Sequence, residues 1–415
     1  MIKAIRGTRD ILPPASAVWN HVESIAREVF RAYHFHEIRT PIFEATELFA
    51  RGVGEDTDIV SKEMYTWEDR DGSSITLRPE NTASVIRAYI EHRLDQQPGL
   101  KKLYYIGPMF RRERPQKGRY RQFSQIGAEV IGSESPAVDA EVIEMVLEAL
   151  IRCGVENPHL IINSVGCPKC RPVFVEALRS RLQSVKGAMC QDCQRRADTN
   201  PLRVLDCKIP EDQPIIDSLP SILEHLCESC AAHFEAVRRL LKVRGIEYEI
   251  RSRLVRGLDY YTRTTFEVTH GALGAQNSIL GGGRYDGLAE SLGSRVAAPG
   301  IGFSIGEDRL VMAIEEKISG AELGRLDVYL APMGQAALEH GVVLARELRR
   351  AGVVVEVGTE GKLKRAMETA NKLGAKHVLL LGDNEIAAGV YALKDMASGE
   401  QENLTRAALL KRLAG

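Results

Sequence analysis

Hydrophobic spacing along the chain changes character several times, and each change predicts an element. Val18, Val22, Ile25, Val29 and Ala32 recur at helical intervals, so an extended start leads into a helix with one apolar stripe. "FHEIRTPIFEATELF" (35–49) reads as a strand interrupted by Pro41, and 58–78 as a hairpin turning at "DRDG". A helix over "TASVIRAYIEHRL" follows, then two strands flanking a basic loop within 103–131, then an apolar helix from Ala137 to Leu150. Residues 165–245 are helical in pattern and lie between strand-rich blocks, as an insertion would. Strands resume at "IEYEIR" and "TTFEVTH", and "GIGFSIGEDRLVMAIEE" reads as strand, turn and helix. Past "ISGAELGR" (318–325), β-branched runs alternate with helices through "DVYLAP", "VVVEV", "HVLLLG" and "GVYALKD". The pattern predicts an α+β domain on an antiparallel sheet over 1–325, with an insertion at about 165–245. A separate α/β domain with a largely parallel sheet is predicted over 326–415.

Composition narrows the class. The chain has 415 residues, 44% hydrophobic and 27% charged, enough for two or three packed domains. A formal net charge of -1 excludes a globally basic nucleic-acid coat but leaves room for local basic patches. The first residues lack the apolar core of a signal peptide, and no run is long enough to span a membrane, so a cytoplasmic location is expected. Seven of the eight cysteines fall in the insertion, six of them as CxxC pairs: Cys167/Cys170, Cys190/Cys193 and Cys227/Cys230. The first two pairs, 19 residues apart, have zinc-ribbon spacing. A structural zinc and small buried thiols both fit that spacing.

The densest chemistry lies in "YYIGPMFRRERPQKGRYRQFSQIGAEV". Strand alternation places Arg121, Gln125 and Glu129 on one face with Gly127, and Arg111 on a face with Met109 and Gly107. A cation, an amide and an acid around a glycine suit a ligand carrying both phosphate and amine. Glu80 and Thr82 in "TLRPENT" end a strand and open a helix, where capping by Asn81 or Thr82 is the plainer role. Arg309 falls in the first turn after a glycine-rich strand. "RGLDYY" (256–261) sets Arg256 beside Tyr260 and Tyr261 at the mouth of a strand.

In this order the segments resemble the class II aminoacyl-tRNA synthetases, and closely the bacterial histidyl-tRNA synthetases. The likeness runs over essentially the whole chain, through "RGTRDILP", "TPIFE", "TLRPE", "GPMFRRERPQKGRYRQF", "LVRGLDYYTRTTFEV", "GGGRYDGL", "GIGFSIGEDRL" and the terminal "LKRAMETANKLGAKHVLLLG" with "LKDMASGEQ". The resemblance implies a class II catalytic domain over 1–325 and an anticodon-binding domain over 326–415. It implies a homodimer with the segment around Pro41 at the interface, and as partners L-histidine, ATP with Mg2+ and tRNA(His). Glu129 and Tyr261 would meet the imidazole, Tyr260 and Tyr285 line its pocket, and Glu80, Thr82 and Gln125 hold the ammonium. Arg111, Arg256 and Arg309 would bind ATP, with Arg256 and Arg111 catalytic.

Two positions depart from that family's pattern: Asn81 stands where glycine is expected and Ser124 where histidine is common. Asn81 is expected to preserve a left-handed turn, and Ser124 to point away from the Gln125 face. A rival reading is the inactive regulatory subunit of ATP phosphoribosyltransferase, which shares the fold. Such proteins typically lack the anticodon domain and the intact "RGLDYY", both present here. A prolyl- or threonyl-type synthetase would share the general motifs but not the imidazole-pocket residues.

Overall fold

The computed structural model describes residues 2–54, 57–255, 258–271, 273, 277–359 and 361–414. The chain divides into two compact units, Met1–Asp10 with Trp19–Ile318 and Ile11–Val18 with Ser319–Gly415. Among the described residues no helix is long and apolar enough to cross a membrane.

The first unit is built on eight strands in the order β1-β5-β6-β11-β10-β9-β7-β8. In chain order these are β1 (His36–Glu37), β5 (Lys101–Phe110), β6 (Gln122–Ile131), β7 (His159–Ser164), β8 (Glu249–Ile250), β9 (Thr262–Thr269), β10 (Ser278–Arg284) and β11 (Gly300–Gly306). The interior pairs are antiparallel, as expected, and only the edge pairs, β1 with β5 and β7 with β8, are parallel. A second sheet, in the order β2-β4-β3, joins β2 (Phe43–Ala45), β3 (Tyr65–Glu68) and β4 (Ser74–Leu77), with the hairpin closing at Asp69–Gly72.

Two readings are corrected here. The helix Ala15–Ala32 buries Val22, Ile25, Val29 and Phe30, while Ala32 is exposed. Thr46–Val53 is a helix, not part of a strand. Leu48, Phe49 and Val53 bury its inner face, and so short an apolar run carries no period that separates the two states.

The insertion has its own small core, including Phe174, Leu178, Leu182, Val204, Ile216 and Ile222, within short helices such as Arg171–Val185 and Gln191–Thr199. Its cysteines do not group by nearest spacing. Cys167 and Cys170 meet Cys227 and Cys230, while Cys190 and Cys193 meet Cys207 and Asp212. The insertion leaves and rejoins the sheet at neighbouring strands, so its first and last CxxC pairs become neighbours. Sequence distance cannot register that closure.

A buried charge cluster ties the sheet to two helices. Arg284, at the end of β10, bonds Asp139 and the Ser133 carbonyl, and Asp139 Oδ2 lies 2.8 Å from His233 Nε2. Arg284 and Asp139 are fully buried. Asp139 sits on the helix Pro136–Arg152 and His233 on Glu228–Val243, so one carboxylate joins both helices to the strand.

The second unit carries β12 (Val328–Pro332), β13 (Val355–Val357), β14 (His377–Leu381), β15 (Val390–Asp395) and β16 (Gln401–Thr405) in the order β13-β12-β14-β15-β16. Only β12 pairs in parallel, with β13 and β14; β15 and β16 are antiparallel, so the sheet is mixed rather than largely parallel. β16 is a polar, mostly exposed edge, which no hydrophobic period could reveal.

Asp139→Asn, which leaves the buried Arg284 with only the partly exposed Asp286 as counter-charge, is expected to cost about 3–5 kcal/mol. Urea unfolding of the full chain reads this as a lowered midpoint. Glu134→Gln, removing the more exposed pair with Arg263, is expected to cost about 1 kcal/mol or less. Equal midpoints for the two variants would refute the anchoring role.

Candidate active site

The site begins with missing Cβ atoms. In the β5–β6 pairing Tyr105 stands opposite Gly127, and a Cβ on Gly127 would lie 2.3 Å from the Tyr105 ring. On the other side of β6, Gly302 of β11 stands opposite Glu129, and a Cβ there would fall 1.7 Å from Glu129 Oε2. Glycine at these positions lets a phenol and a carboxyl lie across neighbouring backbone.

Glu129 is 1% exposed. The Thr82 hydroxyl donates to Oε1 at 2.8 Å and the Tyr285 hydroxyl to Oε2 at 2.7 Å. Burial, opposed by these donors and reinforced by Glu80 nearby, pushes its carboxyl up to about 8. Burial also raises the phenols of Tyr105, Tyr260 and Tyr285 well above their ordinary value, with Glu129 adding to the effect in all three and Glu80 in the first two, so they remain O–H donors.

Glu80 caps the helix Thr82–Glu91 with its own side chain: Oε2 accepts from the Thr82 N–H at 2.8 Å and Oε1 from the Ala83 N–H at 3.0 Å. That corrects the expectation of capping by Asn81 or Thr82. Burial raises the Glu80 carboxyl, and those amides oppose the rise. The Tyr260 hydroxyl lies 3.5 Å from Glu80 Oε2. Asn81 is not left-handed, with φ of -121°. Its fully buried side chain instead accepts from the Thr40 hydroxyl at 2.6 Å, within a network held by Arg78. Ser124 points away from the Gln125 side, as expected: its N–H donates to Asp308 and its hydroxyl to the Gly107 carbonyl.

Tyr260 and Tyr261 both line the cavity, although regular strand alternation would place neighbours on opposite faces. They precede β9, and its first residues are irregular. Arg263 has φ of +52° and the register with β10 shifts between Gly283 and Arg284, so alternation does not carry back to the tyrosines. Their ring centroids are 4.9 Å apart, with Tyr285 6.0 Å from Tyr260.

At the other end of β6 the lining turns basic. Arg111 donates to the Pro79 carbonyl at 2.9 Å and lies 5.2 Å above the Phe123 ring. Arg309, in the first turn of the helix Glu307–Ile314, donates to the Ser278 carbonyl at 2.8 Å. Six residues separate Phe123 from Glu129 along β6, or roughly 20 Å of strand. Arg121 leaves the expected row: it precedes the strand, and its stem packs on Gly7.

The cavity measures about 400 Å³ and is lined by Glu80, Thr82, Gln125, Tyr260, Tyr261, Tyr285, Arg111 and Arg309. Glu129 stands just behind this wall, held by Thr82 and Tyr285. Arg256 lies outside the described residues. Sequence reasoning missed Tyr105, Glu113, Arg119, Tyr120 and Glu267 in the lining. Tyr105 had a signal, since it sits two residues before Gly107 on the strand opposite a glycine. The opening "RGTRD" also proves structural: Arg9 bonds Asp308 at 2.7 Å and lies 4.2 Å over the Tyr120 ring, bracing the start of the Arg309 helix.

Comparison with known proteins agrees with this geometry. Residues 7–310 match the family described as Histidyl-tRNA synthetase, and residues 327–415 the one described as Anticodon binding domain. The histidine--tRNA ligase of Solibacter usitatus is 70% identical over 413 residues, covering 100% of this chain and 99% of that protein. Its counterpart in Koribacter versatilis is 59% identical and covers 99% of this chain and 95% of its own length. The crystal structure of apo S. aureus histidyl-tRNA synthetase aligns over 100% of both chains at 39% identity, with a TM-score of 0.81. From its acid-and-phenol pocket to its arginine-lined end, the whole site lies within the matched segment, and the chain belongs to the histidyl-tRNA synthetase family.

Proposed function

We propose that the chain activates L-histidine with ATP and transfers it to the 3′ end of tRNA(His), as a histidine--tRNA ligase. The observation that carries this reading is the gradient along β6, from Glu129 with its phenols at one end to Arg111 and Arg309 at the other. Relatives bearing that name over their full length support it, and the match of 327–415 to an anticodon-binding family removes the ground for the regulatory-subunit reading.

A neutral imidazole offers one donor and one acceptor. Thr82, Tyr285 and Tyr105 take part of the roughly four lone-pair positions of Glu129, which leaves capacity for the imidazole N–H. Tyr261 would donate to the other ring nitrogen, with Tyr260 and Tyr285 closing the pocket. Glu80, Thr82 and Gln125 would receive the ammonium; among the described residues the buried Gln125 Oε1 has no hydrogen-bond partner. The substrate carboxylate then attacks the α-phosphorus, the bond to the β-phosphate bridging oxygen breaks, and pyrophosphate leaves. In the second step the terminal ribose hydroxyl attacks the acyl carbon and AMP leaves. No protein nucleophile is needed. Arg111, Arg309, Arg256 and the Mg2+ accompanying ATP would neutralise charge at the phosphoryl centre.

The second unit would read the anticodon, and a cytoplasmic location fits the reaction. A homodimer through the Pro41 segment is supported by Ile42, Phe43 and Trp67, exposed 44%, 56% and 42% around the small sheet.

Three outcomes test these roles. Arg309→Ala and Arg256→Ala are each expected to slow adenylate formation about a hundred- to a thousandfold while histidine still binds. Single-turnover rates within tenfold of wild type would remove either residue from the ATP site. Phe43→Glu is expected to yield monomers in sedimentation, and an unchanged dimer would place the interface elsewhere.

Glu129→Gln is expected to raise the histidine KM about ten- to a hundredfold. A pH signature accompanies it. In the free protein Glu129 keeps its proton up to about 8, against 4.5 when unfolded, so its contribution to stability is full below 4.5 and lost as pH rises through 8. An imidazole N–H donated to its carboxylate favours the ionised form, so binding releases a proton, and affinity should rise between about pH 7 and 8, above the imidazole's own titration. Calorimetry in buffers of differing ionisation enthalpy should register that proton for wild type and not for Glu129→Gln. An identical release in both would exclude Glu129 as the titrating group.

A further inference from the structure

The insertion's thiols stand at distances that neither a disulfide nor chance packing explains. Cys167 Sγ lies 3.8 Å from Cys227 Sγ and 3.7 Å from Cys170 Sγ, and Cys170 Sγ lies 3.9 Å from Cys230 Sγ. A disulfide needs about 2.05 Å. A tetrahedral zinc with Zn–S bonds of about 2.3 Å sets its sulfurs about 3.8 Å apart. All four Sγ atoms lie within 4.8 Å of one another, as a single ion requires. The backbone also treats these sulfurs as acceptors: the Cys167 N–H donates to Cys170 Sγ at 3.0 Å and the Lys169 N–H to Cys167 Sγ at 3.4 Å. Gly166, at φ +68°, makes that turn, and a Cβ there would fall 2.7 Å from Cys170 Sγ.

A second cluster sits inside the first in chain order. Cys190, Cys193, Cys207 and Asp212 present ligand atoms within the same 4.8 Å limit. Asp212 is 1% exposed; its Oδ1 accepts the Cys190 N–H at 3.0 Å and its Oδ2 lies 3.3 Å from Cys207 Sγ. A carboxylate buried among thiols must be compensated, and a cation shared with the sulfurs would compensate it.

We propose that the insertion binds two zinc ions, one by Cys167, Cys170, Cys227 and Cys230, the other by Cys190, Cys193, Cys207 and Asp212. Three or four thiolates in tetrahedral array select zinc over harder divalent cations. A segment of this size with short helices and a small core is the kind of scaffold that metal staples stabilise. The first ion would also brace the pocket. Arg171, the residue after Cys170, bonds the main-chain carbonyl of Tyr261 and donates to that of Val165 at 3.4 Å. The ion therefore secures the chain from which Tyr261 enters the cavity, a consequence that rests on the proposed histidine site; the metal sites themselves do not.

Elemental analysis of the full chain, purified without chelator, tests the proposal. About two zinc per chain is expected; under about one-tenth of an equivalent overturns both sites, and a single equivalent overturns one. Cys227→Ser and Cys207→Ser should each remove one equivalent and leave the other. If Cys227→Ser keeps the full metal content, Cys167 and Cys170 are paired otherwise and the first site is wrong. Should either variant fold poorly, cobalt exchange into the wild-type chain decides the matter. Intense tetrahedral ligand-field bands with thiolate charge transfer, saturating at two equivalents, support the proposal, and weak octahedral bands overturn it.

Discussion

A carboxyl lying across a strand with no side chain of its own underlies the pocket. Glu129 reaches its position only because Gly302 offers no Cβ, and it stays there because Thr82 and Tyr285 hydroxyls take its oxygens. Thr82 is in turn placed by the helix that Glu80 caps. Tyr285 follows Arg284, the residue that anchors the strand to the helical layer. The acid-and-phenol end of the cavity is thus coupled, through a few side chains, to the elements that hold the sheet. Burying an acid this way is costly, and the cost appears as its raised proton affinity. In the proposed histidine site the same cost would make the position discriminating, because only a ligand able to donate to the carboxyl would recover it.

Charge is divided between two tasks. Arg284, Asp139 and Arg9 sit in pairs that join strand to helix or N-terminal segment to helix start. Arg111 and Arg309 are tethered through the carbonyls of Pro79 and Ser278, and Glu113 also lies 3.8 Å from Arg111. The net charge of -1 says nothing about either arrangement.

The insertion is coupled to the pocket through the backbone of Tyr261, which Arg171 holds, and Asp206 of the insertion joins the cavity lining. Its seven cysteines gather into two clusters, one of which includes Asp212.

Much was legible in the sequence: the antiparallel pairing of the central strands, the helices with sustained apolar stripes, and eight residues of the cavity lining between Glu80 and Arg309. These follow from periodicity and from motifs whose residue types are dictated by local chemistry. What misled was everything set by closure in three dimensions. The first CxxC pair meets the last across the base of the insertion, and the middle pair meets Cys207 and Asp212. The irregular start of β9 turns Tyr260 and Tyr261 toward one cavity, where alternation alone would separate them. Asn81 serves a network with Thr40 and Arg78 instead of a turn, and the polar edge strand β16 is held by its pairing with β15. Local sequence determines which conformations a segment prefers and which face is apolar. Which distant segments share a face depends on long-range pairing, and only the tertiary structure decided that.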